Sequence, residues 1–452
     1  MTRNSMTNWL RRFTATVAFF AWLATGGEKT FGQVTFTAVQ TGNWSTANSW
    51  NMNAVPDATN DVSIGSGFAI TTPSSDVSAH HVFVTSSSRL NLGGNLIVGS
   101  STRPDGYVYI SNSTLNANAR NISAASDIYL NDGGAQIINR GTFTTNKLTL
   151  NGQSFALRTG DAIGTVDATG SPSVTFESGS SVPVLNLNNS TATVTATGNI
   201  TQNLTLQGGS TLVLNTDLIL PRSSVAATYL SLYGSTVNAN NKNITAPTQI
   251  YLDGSNSRLN NRGNLTTDAL YVSNQPFDIR ATDTVGRFAF SNGATTLADG
   301  STLNILDLTN VTAAVRTATI GTVNLTSGTI LTEKRGLTTG LTLTGTAAGA
   351  LSINDTSKLR LELDGAINGW ALRWANPAGG DHIADLNTLI AAGKIDFTLT
   401  NGAGYFLSSV GGYTYLQPLA PVPEPATTML IAVGGLASGW VIRRRRLASA
   451  VV

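Results

Sequence analysis

The chain has 452 residues, with 27 Lys and Arg against 25 Asp and Glu, and no cysteine, which excludes disulfides, thiolate metal sites and a cysteine nucleophile. Charged residues are only 12% of the total, and Gly, Asn, Ser and Thr crowd nearly every segment, a composition that disfavours helices and suits turns and strands. At 41% apolar residues in regular patterns, the chain is too hydrophobic for simple disorder.

Residues 1–32 read as a secretory signal peptide. Arg11 and Arg12 close a basic region, Phe13 to Ala24 form a short apolar run, and small residues follow, with a cut expected between Ala24 and Gln33. Removing this segment together with everything beyond residue 423 leaves 19 Lys and Arg and 23 Asp and Glu, a net charge near −4 (19 − 23). A mildly acidic body without a basic stripe argues against nucleic acid as a partner.

Residues 33–99 are expected to form an N-terminal cap and the first coils of the body. Gly42-Asn43-Trp44 leads to Asn48-Ser49-Trp50, then Val55-Pro56-Asp57, Asn60-Asp61 and Val62-Ser63-Ile64. This pattern resembles the first coil of autotransporter-like and haemagglutinin-like β-helical surface proteins. Trp44 and Trp50 would plug the open end of the column, because a solenoid needs a cap; a sugar-stacking role for them is the alternative.

From there apolar and polar residues alternate in short runs, as in Leu90-Asn91-Leu92, Leu148-Thr149-Leu150 and Leu204-Thr205-Leu206. Period two is the strand signal, and Gly, Asn, Asp and Ser punctuate the runs as turns require. The pairs Gly93-Gly94, Gly133-Gly134 and Gly208-Gly209 are expected to supply positive-φ positions. A shift of 122 residues lays Tyr107–Gly164 on Tyr229–Gly286 without a gap. Ile128-Tyr129-Leu130 falls on Ile250-Tyr251-Leu252, and Arg140-Gly141 on Arg262-Gly263. Blocks 100–221 and 222–340 thus read as two copies of a multi-coil unit. Short aliphatic strands point to an all-β, right-handed parallel β-helix whose rungs bury a continuous inner column; tandem β-sandwiches fit the same repeat. Arg140 and Arg262 are expected on a solvated face.

Residues 341–417 change character. Apolar Ile383, Leu386, Leu389 and Ile390 have helical spacing, with Asp381 as N-cap and Gly393 as stop, so a small helix-bearing C-terminal cap is expected. Residues 418–452 form a linker and tail. Val422-Pro423-Glu424-Pro425 precedes an uncharged apolar segment, 426–442, which at about 1.5 Å per residue is a short transmembrane helix. Arg443, Arg444, Arg445 and Arg446 follow and would stay cytoplasmic, leaving the body outside.

In order and placement these three parts resemble the PEP-CTERM sorting domain. The resemblance implies recognition of Pro423-Glu424-Pro425 by an exosortase, removal of the tail, and a place at the cell surface or in a polysaccharide matrix. An ordinary membrane anchor behind a Pro-rich linker is the alternative. Leu386–Leu416 resembles the closing module ahead of the sorting tail in some such proteins.

No catalytic constellation is apparent. His80 and His81 are adjacent, so on a strand they would face opposite sides and could not chelate one metal; with His382 they read as surface or turn histidines. Glutamate is scarce, and Asp sits mostly in turn contexts such as Asn131-Asp132-Gly133. No cofactor, metal or catalytic residue is expected. The reading is an exported, non-enzymatic structural or adhesive protein with exosortase and extracellular polysaccharide as partners. A polysaccharide lyase or hydrolase on the same scaffold is the alternative, and an envelope module that anchors a partner is a third.

Overall fold

The computed structural model describes residues 34–223, 227–334, 339–364, 369–401 and 404–419. The expected signal peptide, the membrane segment 426–442 and the sorting motif lie outside them. The body is a parallel β-solenoid of about 14 turns with one short helix, Ile383–Ala391. It divides into two compact units, residues up to Val182 and from Pro183 onward.

In the first unit, Val82 pairs with Val108, Val108 with Ile128, Ile128 with Leu148 and Leu148 with Val166, spacings of 26, 20, 20 and 18 residues. In the second, Leu204 pairs with Leu230, then Ile250, Leu270 and Phe288, which are again spacings of 26, 20, 20 and 18. The 122-residue sequence repeat is therefore a repeated series of turn lengths, and an inserted residue in any turn would break it. All pairings named are parallel, which the sandwich alternative does not provide. Antiparallel pairing appears at the C-terminal end, where Tyr413–Leu419 pairs with both Leu372–Ala375 and Gly404–Val410.

Period-two alternation sends one residue of each pair inward. Val62, Val82, Val108, Ile128, Leu148 and Val166 are all fully buried, as are Leu204, Leu230, Ile250, Leu270 and Phe288 in the second unit. Each such side chain contributes roughly 1.5–3 kcal/mol of burial. At the start of the chain, Trp44 and Trp50 are buried in edge-to-face contact at 5.4 Å, and Trp50 Nε1 donates to the Trp44 carbonyl at 2.8 Å.

The corners explain the composition. Asn118 and Asn240, and Asn139 and Asn261, occupy left-handed conformations at matched places in the repeat. Asn tolerates that region better than most residues, and its amide can bond the backbone locally. Asn118 and Asn240 donate to the carbonyls of Leu92 and Leu214 at 2.9 and 3.0 Å. Buried serines form a second device. The backbone N–H of Gly67 donates to Ser88 Oγ (3.1 Å) and that of Ser88 to Ser113 Oγ (3.0 Å). In the second unit the N–H groups of Ser190, Ser210 and Gly234 donate to Ser210, Ser235 and Ser257 Oγ (3.1, 3.2 and 2.8 Å). Each hydroxyl satisfies an N–H in the turn before it, a group that would be costly to bury unpaired.

Three expectations are corrected here. Gly208 and Gly209 do have positive φ, but Gly93, Gly94, Gly133 and Gly134 do not. Gly94 is required by close approach instead: a Cβ there would lie 2.1 Å from the Ser75 carbonyl oxygen of the preceding turn. Helix Ile383–Ala391 is N-capped by His382, one residue later than expected, although Asp381 Oδ1 still accepts the Ile383 N–H at 3.0 Å; Gly393 ends it at φ 66°.

Arg140 and Arg262 lie inside, not on a solvated face, at 7% and 5% exposure. Arg140 Nη1 and Nη2 grip Asp161 Oδ1 and Oδ2 at 2.7 and 2.8 Å, and the guanidinium lies over the Phe143 and Phe155 rings. Arg262 grips Asp283 the same way at 2.5 and 2.7 Å, over Phe277. Asp161 also accepts the N–H groups of Phe143 and Arg158, and Asp283 those of Leu265 and Arg280. Planar bidentate pairing and ring stacking make this burial tolerable for Arg, as they would not for Lys. Removing one partner strands a buried charge. Asp161→Asn is expected to destabilise the first unit by about 3–5 kcal/mol, read as a lower urea midpoint. A paired Arg140→Met, Asp161→Leu replacement should cost much less in the same measurement.

Candidate functional site

The outward residues of the first unit build a half-buried aromatic strip. Strands His81–Val84, Val108–Ser111 and Asp127–Asn131 set Phe83 opposite Tyr109 and Tyr109 opposite Tyr129. Their ring centroids are 6.3 and 6.4 Å apart. Tyr107 lies beside them, 5.4 Å from Phe83 and 5.9 Å from Tyr129, both edge-to-face. Such offset and T-shaped contacts suit the ring quadrupole and hold the side chains in place.

Polar groups flank the rings. Asn131 Nδ2 donates to the Tyr109 hydroxyl (3.0 Å), Asn151 Nδ2 to Asn131 Oδ1 (2.9 Å), and the Tyr129 hydroxyl to Asp127 Oδ2 (2.6 Å). Lys147 Nζ is 2.8 Å from Asp167. Burial, with lesser contributions from neighbouring carboxylates, pushes the Tyr107 phenol up to about 12. Burial and the Asp127 hydrogen bond raise Tyr129 as well, so both remain neutral at ordinary pH. In the second unit, Tyr251 and Tyr271 stack face to face at 4.9 Å and 11° on the equivalent outward row. These rings form no catalytic motif in the sequence, yet their alternation in His81-Val82-Phe83-Val84 and Tyr107-Val108-Tyr109-Ile110 is legible once the register is known.

At one end of the strip sits a cluster of histidine and aspartate. His80 occupies the bend between strands Val77–Ala79 and His81–Val84. The bend cancels the strand alternation, so His80 and His81 converge, with ring centroids 3.8 Å apart, instead of facing opposite sides. His80 is buried at 2% exposure, not on the surface; its Nδ1 is 3.2 Å from Asp61 Oδ1 and its Nε2 2.9 Å from Asp105 Oδ1. His81 Nδ1 accepts the Tyr107 N–H at 3.2 Å, and the His81 ring lies 4.1 Å from that of Tyr107. Burial, then the neighbouring His80, lowers His81 to about 4 and keeps it neutral. Desolvation raises Asp61, while the His80 hydrogen bond lowers the exposed Asp105. His382 is also buried, stacked on Trp374 at 3.9 Å, with Asp385 Oδ2 2.7 Å from Nδ1 and the Ala375 carbonyl oxygen 3.1 Å from Nε2.

Residues 421–446 match the PEP-CTERM protein-sorting motif. The match spans the expected Val422, Pro423, Glu424 and Pro425 and ends at Arg446, the last of the four tail arginines. These residues lie outside the described ones, beginning two positions after strand Tyr413–Leu419 ends. No curated protein and no solved structure matches the chain. Among the described residues, no helix is long and apolar enough to cross a membrane.

The chain is an exported β-solenoid protein with a PEP-CTERM sorting motif, targeted to the cell envelope and processed by an exosortase. Protein recovered outside the producing cells should have an intact mass lacking both ends, with the C-terminal cut near Pro423-Glu424-Pro425. A mass that retains 426–452 would instead indicate a plain anchor.

Proposed function

We propose that this is a non-enzymatic structural or adhesive protein of the cell surface or extracellular matrix. Segment 426–442 holds it in the inner membrane until the exosortase acts. The released solenoid then binds extracellular polysaccharide along its outward sheet face.

The observation that carries the reading is the strip Phe83, Tyr107, Tyr109 and Tyr129, half-exposed rings flanked by Asn131, Asn151 and Asp127. A polysaccharide offers apolar C–H faces alternating with hydroxyls. Rings pack against the former, while amides and carboxylates bond the latter. The strands run in parallel register, so the row has the regular spacing a polymer ligand needs. The mild negative charge of the body suits neutral or cation-bridged glycans better than strongly anionic ones.

Binding is tested by sedimentation of the protein with polysaccharide from the producing cells. Tyr109→Ala with Tyr129→Ala should weaken binding about tenfold, equivalent to ~1.4 kcal/mol, without changing the far-ultraviolet circular dichroism. Unchanged binding would remove the strip from the reading. Release of new sugar ends during the incubation would favour the alternative, a lyase or hydrolase on the same scaffold.

A further inference from the structure

We propose that Asp61, His80 and His81 form a binding site for a divalent transition metal of the zinc class, with Asp105 as its outer support. Among the described residues they form the one group of three or more histidine and carboxylate side chains whose ligand atoms all lie within 4.8 Å of one another.

Three features favour a metal over a purely structural ion pair. The first is donor chemistry. Two imidazoles and one carboxylate suit Zn²⁺ and related borderline cations, and poorly suit Ca²⁺ or Mg²⁺, which take oxygen ligands. The second is spacing. His80 Nδ1 and Asp61 Oδ1 are 3.2 Å apart. Bonds of about 2.0–2.1 Å in a tetrahedral shell place neighbouring ligands about 3.3 Å apart, so a metal can replace the proton between these atoms with little movement. The third is the second shell. With His80 Nδ1 on the metal, its Nε2–H donates to Asp105 Oδ1 at 2.9 Å, the carboxylate–histidine–metal arrangement that fixes the ring and its tautomer.

The Asp105 side chain is 72% exposed, whereas those of Asp61 and His80 are 14% and 2% exposed. Arg103 is the opposing cation nearby, and its Nη1 is held on the Thr59 carbonyl at 3.1 Å. Binding takes up His81, which otherwise accepts the Tyr107 N–H. Three protein ligands leave one position of a tetrahedral shell for water or a ligand oxygen.

The ligands come from consecutive turns. Asp61 opens strand Asp61–Ile64, His80 and His81 lie one turn on, and Asp105 precedes the strand after that. A metal there would clip together two consecutive early coils, Asp61–Ile64 and His81–Val84, and so stabilise that end of the first unit.

The test uses the full, untagged chain in mild detergent, stripped with chelator and titrated with Zn²⁺ by calorimetry and with Co²⁺ by visible absorption. The expected result is about one ion per chain, with the intense visible bands of a tetrahedral Co²⁺ site. His81→Gln and Asp61→Asn should abolish saturable binding. Asp105→Asn should weaken it about 10–100-fold at unchanged stoichiometry. His382→Gln, at the far end of the sequence, should leave it unchanged. No saturable binding by the unmodified chain would overturn the proposal and leave Asp61–His80–Asp105 as a proton-bonded link between turns. Equal binding by unmodified and His81→Gln protein would overturn it too. Should Asp61→Asn fail to fold, His81→Gln and the exposed Asp105→Asn still decide.

Discussion

Everything in this protein depends on backbone pairing between successive turns. A strand in a parallel solenoid finds partners for its N–H and C=O groups in the turns on either side, not in a hairpin neighbour. Parallel pairing requires each turn to return the chain to the same place at the same height. Turn length is therefore the controlled quantity, and the series of 26, 20, 20 and 18 residues occurs in both units at equivalent places. Once the turns align, apolar residues stack on apolar residues and each unit has a continuous core. Loss of register by one residue would turn the inner column outward.

The unusual composition follows from that constraint. A corner at every few residues demands left-handed positions, close approaches and buried backbone amides. Asn, Gly and Ser meet these three demands separately, as Asn118, Gly94 and Ser113 illustrate. The two buried Arg140–Asp161 and Arg262–Asp283 pairs combine bidentate contact, backbone hydrogen bonds and aromatic rings. Their duplication marks a structural fitting repeated with the fold.

The same regularity supplies a surface. Residues that alternate with the core are carried outward in rows, and in the first unit one row is aromatic. In the proposed role, such rows would offer a polymer a periodic contact along the strands. Under the proposed reading this separates address from activity: the tail directs the protein to the envelope, and the outward solenoid face makes the contact.

By itself the sequence determined the class of fold and the address. Period-two alternation, the 122-residue repeat and the Pro-Glu-Pro tail are local or periodic signals, and each survives without knowledge of what packs on what. Tertiary structure decided the side-chain environments at the corners. Alternation assigns faces only while a strand stays straight, and the bend at His80 breaks it, bringing two adjacent histidines together. Likewise, nothing local tells that Arg140 has an aspartate 21 residues on waiting inside the column, or that Gly94 meets the carbonyl of Ser75. Those facts come from the superposition of turns, which is set by turn length summed along the chain and not by any residue alone.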